Sequence, residues 1–361
     1  MAVNRNRLPV MIHKLVGAIF AGFALSSLYL SPAFAVKEDQ LLDFLDEEII
    51  PFYDNNCTKG TFKGKDDILI SYAKYEVPDE KGAIIIVPGR KEFALKYSEL
   101  LYDFKDSGYS LYIFDHRGQG SSGRLLKDHT KGHVVHFNDY VADFKKFMTD
   151  IVNQKQHWKR FVVCHSMGGV IASFYASSNP HTLDGMILCS PMMGIRTPKG
   201  ADFITSFSAV FLDSVWLGSL AVPMKKYFLP DYPFEKNFNT HSPARYEVNR
   251  ILLKKDETLF VGAPTYRWVR EAMDADKVLQ KQAEKVALPV LILQAEKDMV
   301  VTAKHQTRFC EKAPDCTLQV IQGAKHEILM EKDSIRDKAL TSIIDFLDRY
   351  SSDSNTEAGV Q

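Results

Sequence analysis

The stretch that most constrains this chain is Phe161-Val162-Val163-Cys164-His165-Ser166-Met167-Gly168-Gly169-Val170. A short apolar run stops at Ser166, two glycines follow, and a segment with helical character begins. The pattern predicts a strand, a sharp turn and a helix with a serine at the apex. That is the geometry of a nucleophile elbow, which exposes a serine hydroxyl above a parallel sheet. The usual spacing is G-x-S-x-G. Here Cys164 stands in the first glycine's place and Gly168 in the second. The residue two before the serine must be small because the turn brings backbones together, and cysteine meets that need. Five residues alone do not make an enzyme, so the reading depends on what surrounds them.

The surrounding chain alternates buried strands with helices. Gly60 to Tyr75 reads as a hairpin turning at Gly64 and Asp66-Asp67, after a helical Val36 to Asp54. Ala83 to Val87, Ser110 to Phe114, Phe161 to Cys164, Met186 to Cys189, Val290 to Gln294 and Leu318 to Ile321 read as strands. Most are continuous apolar runs, as expected of strands covered on both faces. Helical segments at Tyr97 to Asp106, Asn138 to Val152, Met167 to Ser178, Ala303 to Lys312 and Ser334 to Tyr350 lie between or after them. This order predicts an α/β fold with a mostly parallel central sheet and helices on both faces. Between Met192 and Glu284 the alternation breaks. This stretch holds Phe203, Phe207, Phe211, Trp216, Tyr227, Phe228, Tyr232, Phe234, Tyr266 and Trp268, and reads as a helical cap insertion.

The N-terminus carries Arg5, Arg7 and Lys14, then the apolar run Leu15 to Leu30, then Ala33-Phe34-Ala35. A charged start, an apolar middle and an A-x-A ending predict a secretory signal peptide cut after Ala35, and hence export, with the periplasm as the natural bacterial destination. The alternative is an uncleaved membrane anchor, for which the run is short. The expected organisation is therefore 1–35 signal peptide, 36–191 first part of the core, 192–284 cap, 285–350 second part of the core, and 351–361 a polar, disordered tail. Lys+Arg and Asp+Glu both number 45, so the net charge makes no case for nucleic acid. Of 5 cysteines, Cys310 and Cys316 are close enough in sequence to bridge in an oxidising compartment. Cys164 and Cys189 read as buried small residues, Cys57 has no obvious partner, and none has zinc-site spacing. No metal or cofactor is expected.

A serine hydroxyl needs a base within hydrogen-bond reach, and the base needs a third group to orient it. Ligands gather at the carboxyl ends of strands in such a sheet, so the partners should follow strands, in the order serine, acid, histidine. His326 follows the last strand in Gly323-Ala324-Lys325-His326. Asp298 follows the strand before it, with Glu296 as runner-up. His165 adjoins the nucleophile but points away from it on an elbow, and reads as packing or loop support. His116, His129, His133, His136 and His305 read as surface or loop hydrogen-bonding residues. An oxyanion needs donors, expected from the backbone N–H of Met167 and, in the turn after the first long strand, of Arg90.

At this point the residues resemble a family. PGRKEFALKYSELLYDF from Pro88, DHRGQGSSGRLL from Asp115, GHVVHFNDYVADF from Gly132, CHSMGG from Cys164, HSPARYEVNRILLKKDETLFVGAPTYRWVREAM from His241 and GAKHEILME from Gly323 resemble α/β-hydrolases of the monoacylglycerol lipase and lysophospholipase group. The resemblance spans most of the chain beyond residue 35 and includes the insertion. It implies a serine hydrolase of glycerolipid esters, with Ser166, Asp298 and His326 at the catalytic positions and a lysophospholipid or monoacylglycerol as substrate. Pro88 departs from the histidine that many members carry there. The aromatic insertion would shelter an acyl chain, with possible peripheral membrane contact. Arg124, Lys127, Arg245, Arg267 and Arg270 are the candidates to face a lipid phosphate. A general carboxylesterase or a proline-releasing peptidase would use the same three residues. A dehalogenase or epoxide hydrolase would need a carboxylate where Ser166 stands. A non-catalytic binding protein would have no use for a complete triad.

Overall fold

The computed structural model describes residues 35–196, 202–223 and 232–351, with backbone alone for 202–207. The expected signal segment up to residue 34 and the tail from 352 lie outside the described residues. Among those described, no helix is long and apolar enough to cross a membrane, and no group of three or more His, Cys, Asp or Glu side chains is placed to hold a metal ion.

Among the described residues, eight strands form one sheet: β1 (Thr58–Lys63), β2 (Leu69–Tyr75), β3 (Gly82–Val87), β4 (Tyr109–Phe114), β5 (Arg160–His165), β6 (Gly185–Cys189), β7 (Val290–Ala295) and β8 (Cys316–Ile321). Their order is β1-β2-β4-β3-β5-β6-β7-β8. The β1–β2 hairpin is antiparallel and β2 joins β4 antiparallel, while β4 through β8 run parallel. This is the α/β-hydrolase arrangement that the alternating strands and helices imply. The reason lies in the period of two along each strand. Ile85, Val87, Tyr112, Phe114, Val162 and Cys164 enter one buried cluster, and Ile84, Ile86, Leu111, Ile113, Phe161 and Val163 enter another on the opposite face.

Helices cover both faces. The first cluster is closed by α4 (Phe137–Asp150), α5 (Met167–Ser178), α8 (Tyr266–Gln282) and α9 (Ala303–Lys312). On α4, Phe137, Tyr140, Phe144, Phe147 and Met148 fall at helical spacing and are buried, and Asp139 accepts the His136 N–H at 3.1 Å to fix the first turn. The second face is closed by α3 (Ser98–Phe104) and α10 (Asp333–Ser351). A third cluster joins α1 (Leu41–Phe44) to α7 (Pro243–Lys255) through Leu41, Leu45, Ile49, Val248 and Leu252. Between α1 and α2 (Ile50–Asn56) the chain forms a π turn, Leu45–Ile49, that helical spacing alone did not predict. Pro51 has no N–H for the carbonyl four residues back, and the ladder widens just before it, Ile50 N–H reaching the Leu45 carbonyl.

The stretch expected as an insertion contributes α6 (Asp202–Ser214), α7 and α8. These behave differently from one another. On α8, Trp268, Ala272, Ala275 and Leu279 are buried in the core against α4 and α5. On α6 and just after it, Phe211 and Trp216 are exposed, Trp216 at 93%. The aromatics therefore do not line one common pocket: Trp268 is core and Phe211 and Trp216 face outward. Phe203, Phe207, Tyr227 and Phe228 have no described side chain. Cys310 and Cys316 form a disulfide between the end of α9 and the start of β8, and Cys57, Cys164 and Cys189 are buried thiols.

Candidate active site

Ser166 sits between β5 and α5 with φ 50° and ψ −114°. A non-glycine residue there stores strain of about 1–3 kcal/mol, which surrounding contacts must offset. They are visible: Ser166 N–H donates to the Cys189 carbonyl at 3.0 Å, and its carbonyl accepts from Gly169 at 3.0 Å and Met192 at 2.9 Å. Two glycines permit the close approach. A Cβ at Gly168 would lie 2.1 Å from the Val87 carbonyl oxygen, and one at Gly89 would lie 3.2 Å from Ser166 Cβ. The turn after β3 is thus pressed directly against the elbow. Cys164, the small residue in the first glycine's place, is fully buried in β5.

The loops after β7 and β8 bring the other two side chains in. His326 Nε2 lies 3.0 Å from Ser166 Oγ, and His326 Nδ1 lies 2.8 Å from Asp298 Oδ2. All three residues are buried, at 5–6% exposure. Asp298 Oδ1 also accepts the Val300 and Val301 N–H groups at 2.7 and 2.9 Å. Burial alone would raise its pKa, but the His326 ring and these two N–H donors outweigh burial and hold the carboxyl below its usual range. A carboxylate only accepts, so His326 Nδ1 carries a proton and Nε2 presents its lone pair to the serine hydroxyl. Glu296, the alternative acid, is used elsewhere: it accepts the Gly323 N–H at 2.7 Å.

The expected oxyanion donors lie beside the serine. Met167 opens α5, where helical N–H groups lack intrahelical acceptors. Arg90 follows Gly89 in the pressed turn. Its side chain is held away from the elbow, with Nη1 donating to the Gly262 carbonyl at 2.9 Å and the guanidinium 5.3 Å from the Trp268 ring centroid. The turn is buttressed from behind. His116 Nε2 bonds the Pro88 carbonyl at 2.8 Å, and Gln119 Nε2 bonds the Gly89 carbonyl at 3.0 Å. His116 is buried rather than a surface residue, and burial lowers its pKa to about 4.

A group that the sequence did not single out lies under the site. Glu92 accepts from Gly89 N–H, from Tyr97 O–H at 2.7 Å, from His165 Nδ1 at 2.9 Å and from Lys96 Nζ at 2.9 Å. Lys96 also reaches Glu327 at 2.8 Å. His165 Nε2 in turn meets the His326 carbonyl at 3.2 Å. Both neighbours of this ring are acceptors, so His165 is satisfied only as the doubly protonated cation. Burial opposes that charge, but the Glu92 carboxylate outweighs it and raises the His165 pKa. Burial would likewise raise Glu92, yet His165 and Lys96 hold it well below the usual carboxylate range. His165 is therefore a support for the loop that carries His326. Its contacts lie 73 and 161 residues away, and no local pattern announces them.

The arginines expected to face a phosphate are mostly occupied. Arg245 is buried and paired with Glu99 at 2.8 Å. Arg267 and Arg270 pair with Asp213, and Arg124 donates to the Thr258 carbonyl. Lys127 is exposed. Arg245 does line a cavity of about 70 Å³, together with Lys91, Lys96, Arg250, Asn249 and Glu327. It adjoins the site, since Lys91 follows Arg90 and Glu327 follows His326.

The chain is similar to several known proteins. Residues 78–333 match the family described as serine aminopeptidase, S33. The chain is 38% identical over 313 residues to lysophospholipase L2 of Escherichia coli strain K12, covering 83% of this chain and 90% of that protein. It is 33% identical over 316 residues to a probable lysophospholipase L2 of Haemophilus influenzae, covering 86% and 98%. Among solved structures, a monoacylglycerol lipase of Paleococcus ferrophilus superposes with a TM-score of 0.63 at 22% identity, covering 78% of this chain and 99% of that one.

Proposed function

The chain belongs to the serine aminopeptidase S33 family of hydrolases, and on that premise we propose that it cleaves the fatty-acyl ester of lysophospholipids through Ser166, His326 and Asp298. His326 Nε2 takes the hydroxyl proton as Ser166 Oγ attacks the ester carbonyl. The Met167 and Arg90 N–H groups hold the oxyanion. The carbon–oxygen bond to the glycerophospho-alcohol breaks, and His326 returns the proton to that leaving oxygen. Water, deprotonated by His326, then splits the acyl-enzyme and frees the fatty acid. Asp298 stabilises the imidazolium at both stages.

The observation that favours a phosphate-bearing substrate over a monoacylglycerol is the cavity at Lys91. Lys91 has φ 61°, a left-handed conformation that costs a residue with a Cβ about 1–2 kcal/mol and suits glycine. A long cationic side chain is kept there against that cost, next to the oxyanion turn. Burial pushes the Lys91 ammonium down to about 8, helped by Arg90 and Lys96 and opposed by Glu327 and Glu92. An anionic head group reverses that penalty, whereas a neutral glycerol does not. Exposed Val210, Phe211, Val215, Trp216, Leu217 and Leu220 form an apolar patch at the end of α6 that suits contact with the membrane surface from which such lipids come.

The test compares kcat/KM on lysophosphatidylethanolamine, a monoacylglycerol of the same chain and a short p-nitrophenyl ester. Ser166→Ala serves as the blank and Lys91→Gly as the selectivity variant. Lysophospholipid should lead in the wild type, and its lead over monoacylglycerol should shrink about tenfold in Lys91→Gly, the loss of one charge-assisted contact. A wild-type preference for the short ester would defeat the proposal. An unaltered ratio in Lys91→Gly would favour the monoacylglycerol lipase reading.

A further inference from the structure

Val36 lies inside a buried charge cluster. Val36 N–H donates to Asp103 Oδ1 at 2.8 Å, and the Val36 carbonyl accepts from Arg245 Nη2 at 3.2 Å. Around this residue, Arg245 pairs with Glu99 at 2.8 Å and with Asp333 at 2.9 Å. Arg336 pairs with Asp103 at 2.6 Å and with Glu99 at 3.4 Å. Val36, Glu99, Asp103, Arg245 and Arg336 are all buried, and Asp333 stands at the rim. Lys37 does not enter the cluster, since its ammonium meets Asp337 at 3.1 Å.

The charges do not balance. Three carboxylates share two guanidinium groups, and isolated charge is costly in a buried setting. The strain falls on Asp103. Its Oδ2 has Arg336, while its Oδ1 has only the neutral Val36 N–H. Burial, reinforced by Glu99 and only partly offset by Arg336 and the Val36 N–H, pushes this carboxyl up to about 6. One positive charge at the Val36 nitrogen would complete the set.

Val36 is also the residue that follows Ala33-Phe34-Ala35, the small-residue ending of the N-terminal apolar segment. We propose that hydrolysis of the Ala35–Val36 bond converts the Val36 amide into an α-ammonium that ion-pairs with Asp103 and completes this buried cluster. Water adds across the peptide bond: its oxygen stays on the Ala35 carboxylate, and both its protons go to the Val36 nitrogen. The α-amine is cationic at neutral pH, with an ordinary pKa of about 7.7–8.0. Because Ala35 and Val36 are buried in the folded protein, a leader-removing endopeptidase acts before folding. The new terminus then docks as the chain closes. Export and folding are thereby linked, because the mature fold holds an ion pair that the precursor lacks.

Two measurements test this. N-terminal sequencing of the protein recovered from an exporting bacterium should read Val-Lys-Glu-Asp from Val36, and any other mature terminus overturns the inference. Purified chains beginning at Val36 and at Ala33 should differ in Tm, the longer one melting lower by roughly 5 °C or more. In an Asp103→Asn background that difference should vanish. Equal melting of the two unsubstituted chains, or a difference that survives Asp103→Asn, also overturns it. The first comparison needs no substitution, so it stands even if Asp103→Asn fails to fold.

Discussion

Replacing Glu92 by glutamine isolates the support beneath the site. Glutamine keeps the shape and changes only charge and donor pattern. In the wild type, Glu92 Oε2 accepts from Gly89, Tyr97 and His165, and Oε1 accepts from Lys96. If the amide oxygen takes the Oε2 position, the NH₂ faces the Lys96 ammonium, donor against donor. If it takes the Oε1 position, the NH₂ faces three donors. The first arrangement is less costly, and it leaves Lys96 and His165 as two buried cations with Glu327 as their remaining carboxylate. Breaking a buried pair by removing one partner costs about 3–5 kcal/mol. At about 2–4 °C per kcal/mol for domains approaching this size, Tm should fall by roughly 10 °C. Ser166, His326 and Asp298 keep their mutual contacts, so kcat should fall far less than in Ser166→Ala. Circular-dichroism melts at pH 7 with parallel urea titrations measure the loss. Adding Lys96→Met removes the opposed donor, and the double variant should be more stable than the sum of the singles by at least about 1 kcal/mol. A Glu92→Gln protein within about 2 °C of wild type, or strictly additive singles, would refute the assignment.

Three further outcomes are expected. Asp298→Asn removes the acceptor that fixes the His326 tautomer and should lower kcat by about 10⁴-fold while leaving KM nearly unchanged, read by steady-state kinetics. The Asp298 carboxyl lies below its ordinary value of about 3.9, so its stabilisation is full above that pH and is lost as pH falls through the lower folded value. Wild type and Asp298→Asn should therefore differ in Tm at pH 7 and converge as the pH is taken below the ordinary carboxylate range; a constant gap would contradict this. Gly168→Ala drives a Cβ to 2.1 Å from the Val87 carbonyl, and should abolish soluble, folded protein or cost more than about 3 kcal/mol by chemical denaturation.

What a sequence makes legible here is what is local. The β5 strand, the Ser166 turn and the α5 helix occupy consecutive residues, and Asp298 and His326 each follow a strand by a few positions. Those three side chains meet in the structure because parallel strands end on one edge of the sheet. The strand order is not local: β4 inserts between β2 and β3, and no periodicity records it. Nor are the polar partnerships. Arg245 and a solvent-facing arginine look alike in a sequence, yet its contacts at Glu99 lie 146 residues away and bury it. Glu92 lies in the stretch after Pro88 that carries part of the family resemblance, but its role depends on His165, Tyr97 and Lys96 converging in three dimensions. Nothing in the sequence marks Lys91, because a left-handed φ leaves no trace in residue type when the residue is not glycine.

The position of α8 divides the upper part of the molecule unequally. Its buried face belongs to the sheet's own core, and Arg90, one residue past Gly89, stacks on its Trp268. The seam to the preceding segment combines backbone bonds, Arg267 N–H to the Gly218 carbonyl and Tyr266 N–H to the Leu220 carbonyl, with the pairs of Arg267 and Arg270 to Asp213. An exchange of the preceding segment that spares the sheet's core therefore stops short of α8, near Gly262. Going back beyond α7 would also take Arg245 and its buried pair with Glu99. Extending the exchange through α8 removes a wall of the building.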